Sequence, residues 1–338
     1  MRRSMNALVV AVITIALSFP VSTSAQKTKN IRSRKALSTS GLTATLWEEP
    51  KDIATRNLFY GSGGKEHLPQ GKLTFIKEDD TGSNPKFEVK DEQGTKWKVK
   101  LGPEAQSETA ATRLVWAAGY FTDETYYLPE LRVEGLKPLK RGHRFVSVNG
   151  TIQGARLERD LKGEKKIGNW SWFDNPFAGT KELNGLKVMM ALINNWDLKT
   201  ANNGIYDGRG GEPRYVITDL GASFGKTGNS FSRSRNRLDD YLDSKFIKKV
   251  KSEEVDFVLH SRPFFLYAIW VPYYFQRTKM EKIGKNIPRD HAKWIGQLLG
   301  QLSEQQISDA FRAAGYSPSE VKAFTQKVRD RIGELNDL

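Results

Sequence analysis

The sequence predicts an α+β fold in two lobes, strand-rich first and helix-rich second, and three observations predict it. Leu73-Thr74-Phe75-Ile76-Lys77, Phe87-Glu88-Val89-Lys90 and Trp97-Lys98-Val99-Lys100-Leu101 alternate apolar and polar residues and are rich in aromatic and β-branched side chains. Beyond Leu183 the apolar residues recur at helical spacing over most of the chain. The 338 residues, 38% hydrophobic and 11% aromatic, can bury a full core and suit one large domain of two lobes.

The first strand pair is joined by Asp79-Asp80-Thr81-Gly82-Ser83-Asn84-Pro85 and the second by Asp91-Glu92-Gln93-Gly94-Thr95, both with turn chemistry, so the three strands form an antiparallel meander. A helix follows over Ser107 to Gly119, with Gly119 as its C-cap. Tyr126 to Leu131 and Arg144 to Val148 read as further strands that complete the strand-rich lobe, 71–150. In the second lobe, 151–338, helices are expected at Leu183 to Asn195, Lys245 to Leu259, Pro263 to Phe275, Asp290 to Leu302, Glu304 to Ala314 and Pro318 to Leu335. The last is opened by Ser317 as N-cap, Pro318 at its first position and Glu320 closing a capping box.

Ahead of these elements, Arg2 and Arg3 precede an apolar run from Ala7 to Phe19 and a small-residue site ending at Ala25, the pattern of a cleaved export signal over 1–25. A basic leader over 26–40 and a turn-rich lead-in segment over 41–70 follow. Export places the protein in a periplasm or outside the cell. The chain has no cysteine, which excludes disulfides, a thiol nucleophile and thiolate metal sites. A net charge of +14 favours anionic partners, an anionic surface among them, without pointing to specific nucleic-acid binding. His67, His143, His260 and His291 have no ligand spacing, and Tyr60-Gly61-Ser62-Gly63-Gly64-Lys65-Glu66 fails the phosphate-loop pattern for want of Ser or Thr after the lysine.

The chemistry concentrates in two segments. Asp197-Leu198-Lys199-Thr200-Ala201-Asn202 spaces a carboxylate and an amide as D-x-x-x-x-N, and the short apolar run Tyr215-Val216-Ile217 delivers Asp219 into Leu220-Gly221. An aspartate ending a strand at a glycine turn, with an amide oxygen nearby, suits a hard divalent cation. These motifs, with the β-β-β-α unit before them, resemble the protein kinase-like superfamily over about Leu73 to Gly225. The wording around Ser107-Glu108 is similar to HipA-like kinases. Asp219-Leu220-Gly221-Ala222-Ser223-Phe224-Gly225 resembles type II phosphatidylinositol 4-kinases and secreted kinases of the Fam20 and CotH kind.

The resemblance implies an atypical, exported phosphotransferase that uses ATP with Mg²⁺ or Mn²⁺. It assigns Asp197 to orient the attacking hydroxyl and Lys199 to balance charge on the transferred group. Asn202 and Asp219 would hold the metal, with Asn203 as a substitute for Asn202. Lys100 would pair the phosphates, with Glu108 as its partner and Gly82 and Ser83 in the covering turn. Lys98 shares a face with Lys100, so that assignment can shift by two residues, and Glu104 is an alternative partner. Asn195-Trp196 stands where ordinary protein kinases have His-Arg. The acceptor, a protein hydroxyl, a sugar or an inositol lipid, is not selected by any motif. The alternatives are an inactive kinase fold kept for binding or scaffolding, and a polyanion binder without a nucleotide site. Basic residues from Arg233 to Arg237 lie after the Asp219 turn, as a solvated loop or a contact for an acidic acceptor.

Overall fold

The computed structural model describes residues 43–82, 84–161, 163–208, 211–227, 233–259 and 271–338. The segments expected to be an export signal and a basic leader, Ser83 and the greater part of the Pro263 to Phe275 segment lie outside the described residues. Among the described residues no helix is long and apolar enough to cross a membrane.

The alternating segments form β1 (Leu73–Asp79), β2 (Lys86–Lys90) and β3 (Lys96–Leu101), an antiparallel meander with Phe87 opposite Val99 and Lys86 opposite Lys100. The helix α1 (Glu104–Ala117) starts earlier than the sequence suggests, directly after Pro103. Then come β4 (Thr125–Leu131), β5 (Val133–Glu134) and β6 (Ile152–Arg159). Together they make one six-stranded sheet in the order β4-β6-β3-β2-β1-β5. Residues 144–148 are not the strand expected there: His143–Phe145 is a single 3-10 turn and Val148 is fully exposed. The strand comes at β6 instead, so the sheet extends past the expected lobe boundary at residue 150.

One face of this sheet closes on its own apolar core of Phe87, Val89, Trp97, Val99, Leu101, Ala155 and Leu157. The period of two then sends Lys98, Lys100, Arg156 and Glu158 to the opposite face, which receives α1. That helix is buried on nearly every side, and its small residues Ala110, Ala111 and Ala117 permit the close approach. The lead-in segment grips its C-terminal end. Trp47 Nε1 donates to Ala118 O (2.7 Å), the Glu48 amide to Gly119 O (3.0 Å) and Arg56 Nη1 to Trp116 O (2.6 Å), satisfying carbonyls that a helix end leaves unpaired. Gly119 has φ +91°, and a Cβ there would lie 2.3 Å from Glu48 O, so only glycine fits. The run containing Gly61 serves packing as well: a Cβ on Gly61 would lie 2.3 Å from the Arg113 guanidinium of α1.

The second half begins with β7 (Lys165–Asn169), α2 (Lys181–Leu192), β8 (Asn203–Asp207) and β9 (Pro213–Ile217), the three strands forming an antiparallel sheet. After α3 (Leu238–Leu242), residues 245–259 carry β10 (Ile247–Val250) and β11 (Glu254–Phe257) where a helix was expected. Then follow α4 (Val271–Glu281), β12 (Ile287–Pro288), α5 (Arg289–Leu299), α6 (Glu304–Ala313) and α7 (Pro318–Asn336). Ser317 accepts from the Glu320 amide and Glu320 from the Ser317 amide, so α7 has the predicted capping box with Pro318 behind its cap. A strand-rich half followed by a helix-rich half is the α+β order that the sequence predicts.

Candidate active site

The site is built where the charged face of the sheet meets α1 and the turn after β9. Lys100 Nζ lies 2.8 Å from Glu108 Oε2, 2.8 Å from Asp219 Oδ1 and 3.5 Å from Glu104 Oε2. Of the two candidate lysines, Lys100 thus meets the Asp219 turn, while Lys98 lies one step outward and pairs with Glu158 at 3.0 Å. Both glutamates of α1 reach Lys100, Glu108 more closely.

Cross-strand pairing places Arg156 directly opposite Lys100 and Glu158 opposite Lys98. Two cations opposite each other repel. Glu108 relieves this by standing between them, its Oε2 also 3.3 Å from Arg156 Nε. Arg156, 1% exposed, in turn donates from Nη1 and Nη2 to Glu158 Oε2, both at 3.0 Å. The outcome is a ladder of alternating charge, Lys98, Glu158, Arg156, Glu108, Lys100 and Asp219. Burial would raise the Glu158 carboxyl, but Arg156 and Lys98 overcome it and hold the group at about 2. Burial would raise Asp219 too, and Lys100 pulls it below the usual carboxylate range. For Lys100, burial opposes the charge, yet Glu108 and Asp219 keep its ammonium above the ordinary lysine value.

Asp219 has φ +55°, a left-handed conformation that costs a non-glycine residue about 1 kcal/mol. The turn directs its carboxylate to Lys100 while leaving the side chain 46% exposed. The turn is fastened to α1 because Ser107 Oγ donates to Gly221 O at 2.7 Å. Thr218 joins it to the other segment: its amide and hydroxyl both donate to Asn202 O, at 3.0 and 2.9 Å. Asn202 Nδ2 then donates to Asp197 O at 2.8 Å. With its nitrogen so engaged, the Asn202 carboxamide oxygen remains an acceptor. The substitute ligand, Asn203, is placed otherwise: it is 2% exposed and its Nδ2 donates to Trp170 O. Asp197 is half-buried and forms a close pair with exposed Lys199, Nζ to Oδ1 2.8 Å and to Oδ2 3.1 Å.

Gly82 lies in the β1–β2 turn with φ +69°, and Arg141 donates to the carbonyls of Asp79, Thr81 and Gly82. Asn84, at the end of that turn, donates to Glu104. Arg235 pairs with the other oxygen of Glu104, so the basic segment after the Asp219 turn is tied to the cleft wall. The neighbouring Arg233 stacks on Trp196 at 4.3 Å. Carboxylate oxygens of Glu104, Glu108 and Asp219 come within 4.8 Å of one another, with the Lys100 ammonium among them. For a divalent cation, half-exposed Asp219 and the Asn202 amide oxygen offer hard oxygen donors of the right kind.

Sequence reasoning missed Arg156, Glu158 and Arg331. Arg331 of α7 is fully buried and reaches the end of α2 and the start of the Asp197 loop. Its Nη1 donates to Leu192 O (2.6 Å) and Asn194 Oδ1 (3.1 Å), its Nη2 to Ser244 O (3.1 Å) and Oγ (2.7 Å). It stacks on Tyr241 at 4.3 Å. Asn194 itself has φ +53°, and its Nδ2 donates to Gly225 O, closing the loop onto the Asp219 turn. The Asn195-Trp196 departure also finds a structural role, since Asn195 Oδ1 accepts from the Asp197 amide at 3.0 Å.

No protein-family model matches the chain, and no curated protein matches it. Among solved structures the chain is similar to a proinflammatory kinase of Helicobacter pylori, CtkA, at 12% identity and TM-score 0.42, over 80% of this chain and 95% of that one. It is also similar to the Golgi casein kinase, at 12% identity and TM-score 0.41, over 80% of this chain and 73% of that one. A further structure of the Golgi casein kinase, with Mn/ADP bound, matches at 11% identity and TM-score 0.40, over 80% and 74%.

Proposed function

We propose that the cleft transfers a phosphoryl group from a metal-bound nucleoside triphosphate, ATP with Mg²⁺ or Mn²⁺, to a hydroxyl acceptor. The observation that carries this reading is the double contact of Lys100 with Glu108 and Asp219, both at 2.8 Å, which brings together residues from a strand, a helix and a remote turn. From Thr218, the residue before Asp219, hydrogen bonds lead through Asn202 to the backbone carbonyl of Asp197.

In this reading Lys100 turns from Asp219 to the phosphate oxygens while Glu108 keeps hold of it. Asp219 and Asn202 would hold the cation, which when bound would neutralise phosphate charge. Asp197 orients the acceptor hydroxyl; its oxygen forms the new bond to phosphorus, the bond to the nucleoside diphosphate oxygen breaks, and the hydroxyl proton leaves toward Asp197. Lys199, already paired with Asp197, stands ready to balance the charge of the group in transit. The nucleoside is taken by the cavity of about 830 Å³ that borders the ladder at Lys98 and Glu158. The acceptor hydroxyl is that of a protein, a sugar or an inositol lipid. The N-terminal sequence supports export to a periplasm or beyond the cell, where the basic chain would meet anionic surfaces.

Thermal denaturation with and without ATP and Mn²⁺ tests the reading. A rise in Tm that Asp219→Ala abolishes supports nucleotide binding. Binding retained but transfer lost in Asp197→Ala assigns catalysis; binding without transfer in the wild type would make the protein a nucleotide-holding scaffold. No shift with any nucleotide would sink the proposal.

A further inference from the structure

Glu104 opens α1 and has more partners than a helix-terminal glutamate needs. An acidic group in a first turn commonly serves the helix dipole from an exposed position. This one is 4% exposed, and its two oxygens are divided between separate parts of the chain. Oε2 accepts from Asn84 Nδ2, at the end of the β1–β2 turn, and stands 3.5 Å from Lys100 Nζ. Oε1 accepts from Arg235 Nη1, in the segment after the Asp219 turn. Lys100 has closer counter-charges in Glu108 and Asp219, both at 2.8 Å, so the hold of Glu104 on it comes third.

The stem of Glu104 is confined as closely as its head. A Cβ on Gly221 would lie 2.8 Å from Glu104 Cβ and 2.9 Å from its Cγ, so the glycine of the Asp219 turn is what lets the side chain lie across it. With the stem confined, the freedom left to the carboxylate is rotation about its last bond, a soft torsion that the two donors restrain from either end. Loosening one donor loosens the grip on the other.

Beyond Arg235 the connection reaches the Asp197 loop. The Arg235 guanidinium lies 5.9 Å from the ring centroid of Trp196, Trp196 Nε1 donates to Ser234 O at 2.9 Å, and Trp196 directly precedes Asp197. Asn236 Nδ2 donates to Gln106 Oε1 at 3.1 Å and the Asn236 amide to Ser223 O at 2.9 Å, which fastens the same segment to α1 and to the Asp219 turn.

We propose that Glu104 is a positioning residue that couples the β1–β2 turn to the segment beside Asp197, so that the hold on a nucleotide depends on how the acceptor side is seated. The inference rests on the nucleotide reading above and adds a linkage between the two substrate sides of the cleft. Asn84 carries it on the nucleotide side, and Arg235 on the acceptor side.

The test is a double-mutant cycle on affinity for ATP with Mn²⁺, measured by calorimetry on the full chain. Asn84 and Arg235 are half-buried, so Asn84→Ala and Arg235→Met are expected to fold. Each should weaken ATP binding about fivefold, and the double variant about fivefold as well, against the roughly 25-fold of two independent sites. In a Glu104→Ala background the same two changes should leave ATP affinity where Glu104→Ala has put it. The cycle in the wild-type background decides the matter alone if Glu104→Ala fails to fold. A double variant that shows the product of the single effects, no loss of affinity in either single variant, or a loss from Arg235→Met that persists beside Glu104→Ala would overturn the coupling and leave the nucleotide site standing. Absence of ATP binding by the wild type would overturn both.

Discussion

On the sheet side of the cleft, Lys100 and Glu108 are held by charge, in a buried ladder where each group touches one of opposite sign. On the loop side, Asp197 and Asn202 are held by backbone and amide hydrogen bonds, with a single exposed ion pair from Lys199 to Asp197, and the buried charge of Arg331 that supports the loop has carbonyl, hydroxyl and amide oxygens as its partners. Under the proposed function the difference has a use: a carboxylate that receives a proton is better placed outside a tight ion network, whereas a lysine that meets phosphates needs its counter-charges fixed in advance.

The sharpest way to break this comparison is Arg331→Met. It strips a set of buried acceptors of their donor and should lower stability by about 4 kcal/mol in chemical denaturation; a loss under about 1 kcal/mol would mean the loop is held by something else. Glu108→Gln should cost about 3 kcal/mol, since Lys100 and Arg156 then face each other across β3 and β6 without the charge between them. Pairing this variant with Arg156→Met should recover much of the loss, and failure to recover would argue against the ladder as the cause.

Acid should act mainly on the sheet side. The Glu158 carboxyl titrates at about 2 in the folded chain against 4.5 as its ordinary value. Its contribution is thus fully present above pH 4.5 and lost as pH falls toward 2, roughly 3 kcal/mol in all. Asp219, also lowered, adds to the same trend below its ordinary 3.8. Denaturation midpoints followed from pH 6 to pH 2 in wild type and Glu158→Gln check this, the variant showing the flatter profile. The smallest effect belongs to Asp197→Asn: under about 0.5 kcal/mol in stability, because the side chain is half-buried and its pair with Lys199 faces solvent, together with loss of phosphoryl transfer. A large stability change there would move Asp197 from a working role to a structural one.

What the sequence made legible follows the same division. The meander from Leu73 to Leu101 and the capped helix from Pro318 are local matters, set by alternation, turns and a capping box. Residues 245–259 misled because Phe246, Ile247, Val250, Val255 and Phe257 fit either period, and Ser252-Glu253 is a weak turn signal. β6 was hidden by Gly154 and by two charged residues, Arg156 and Glu158, that point inward only because Lys98 and Glu108 meet them there. In the site, Asp197, Asn202 and Asp219 sit within short motifs and could be picked out along the chain. Arg156 and Arg331 could not, since what gives each its place is a set of partners contributed by distant segments.

The grip of the lead-in segment on α1 sets a limit on how this chain can be divided. Trp47, Glu48, Arg56 and Gly61 all precede the first strand, yet they hold the end of the helix that carries Glu108. A chimera that borrowed the sheet and α1 from Lys72 onward would inherit the helix with its terminal carbonyls bare and Arg113 without its cradle. The transferable module therefore has to include Trp47, and a graft has to carry the segment from Trp47 to the first strand for the lysine and glutamate to meet.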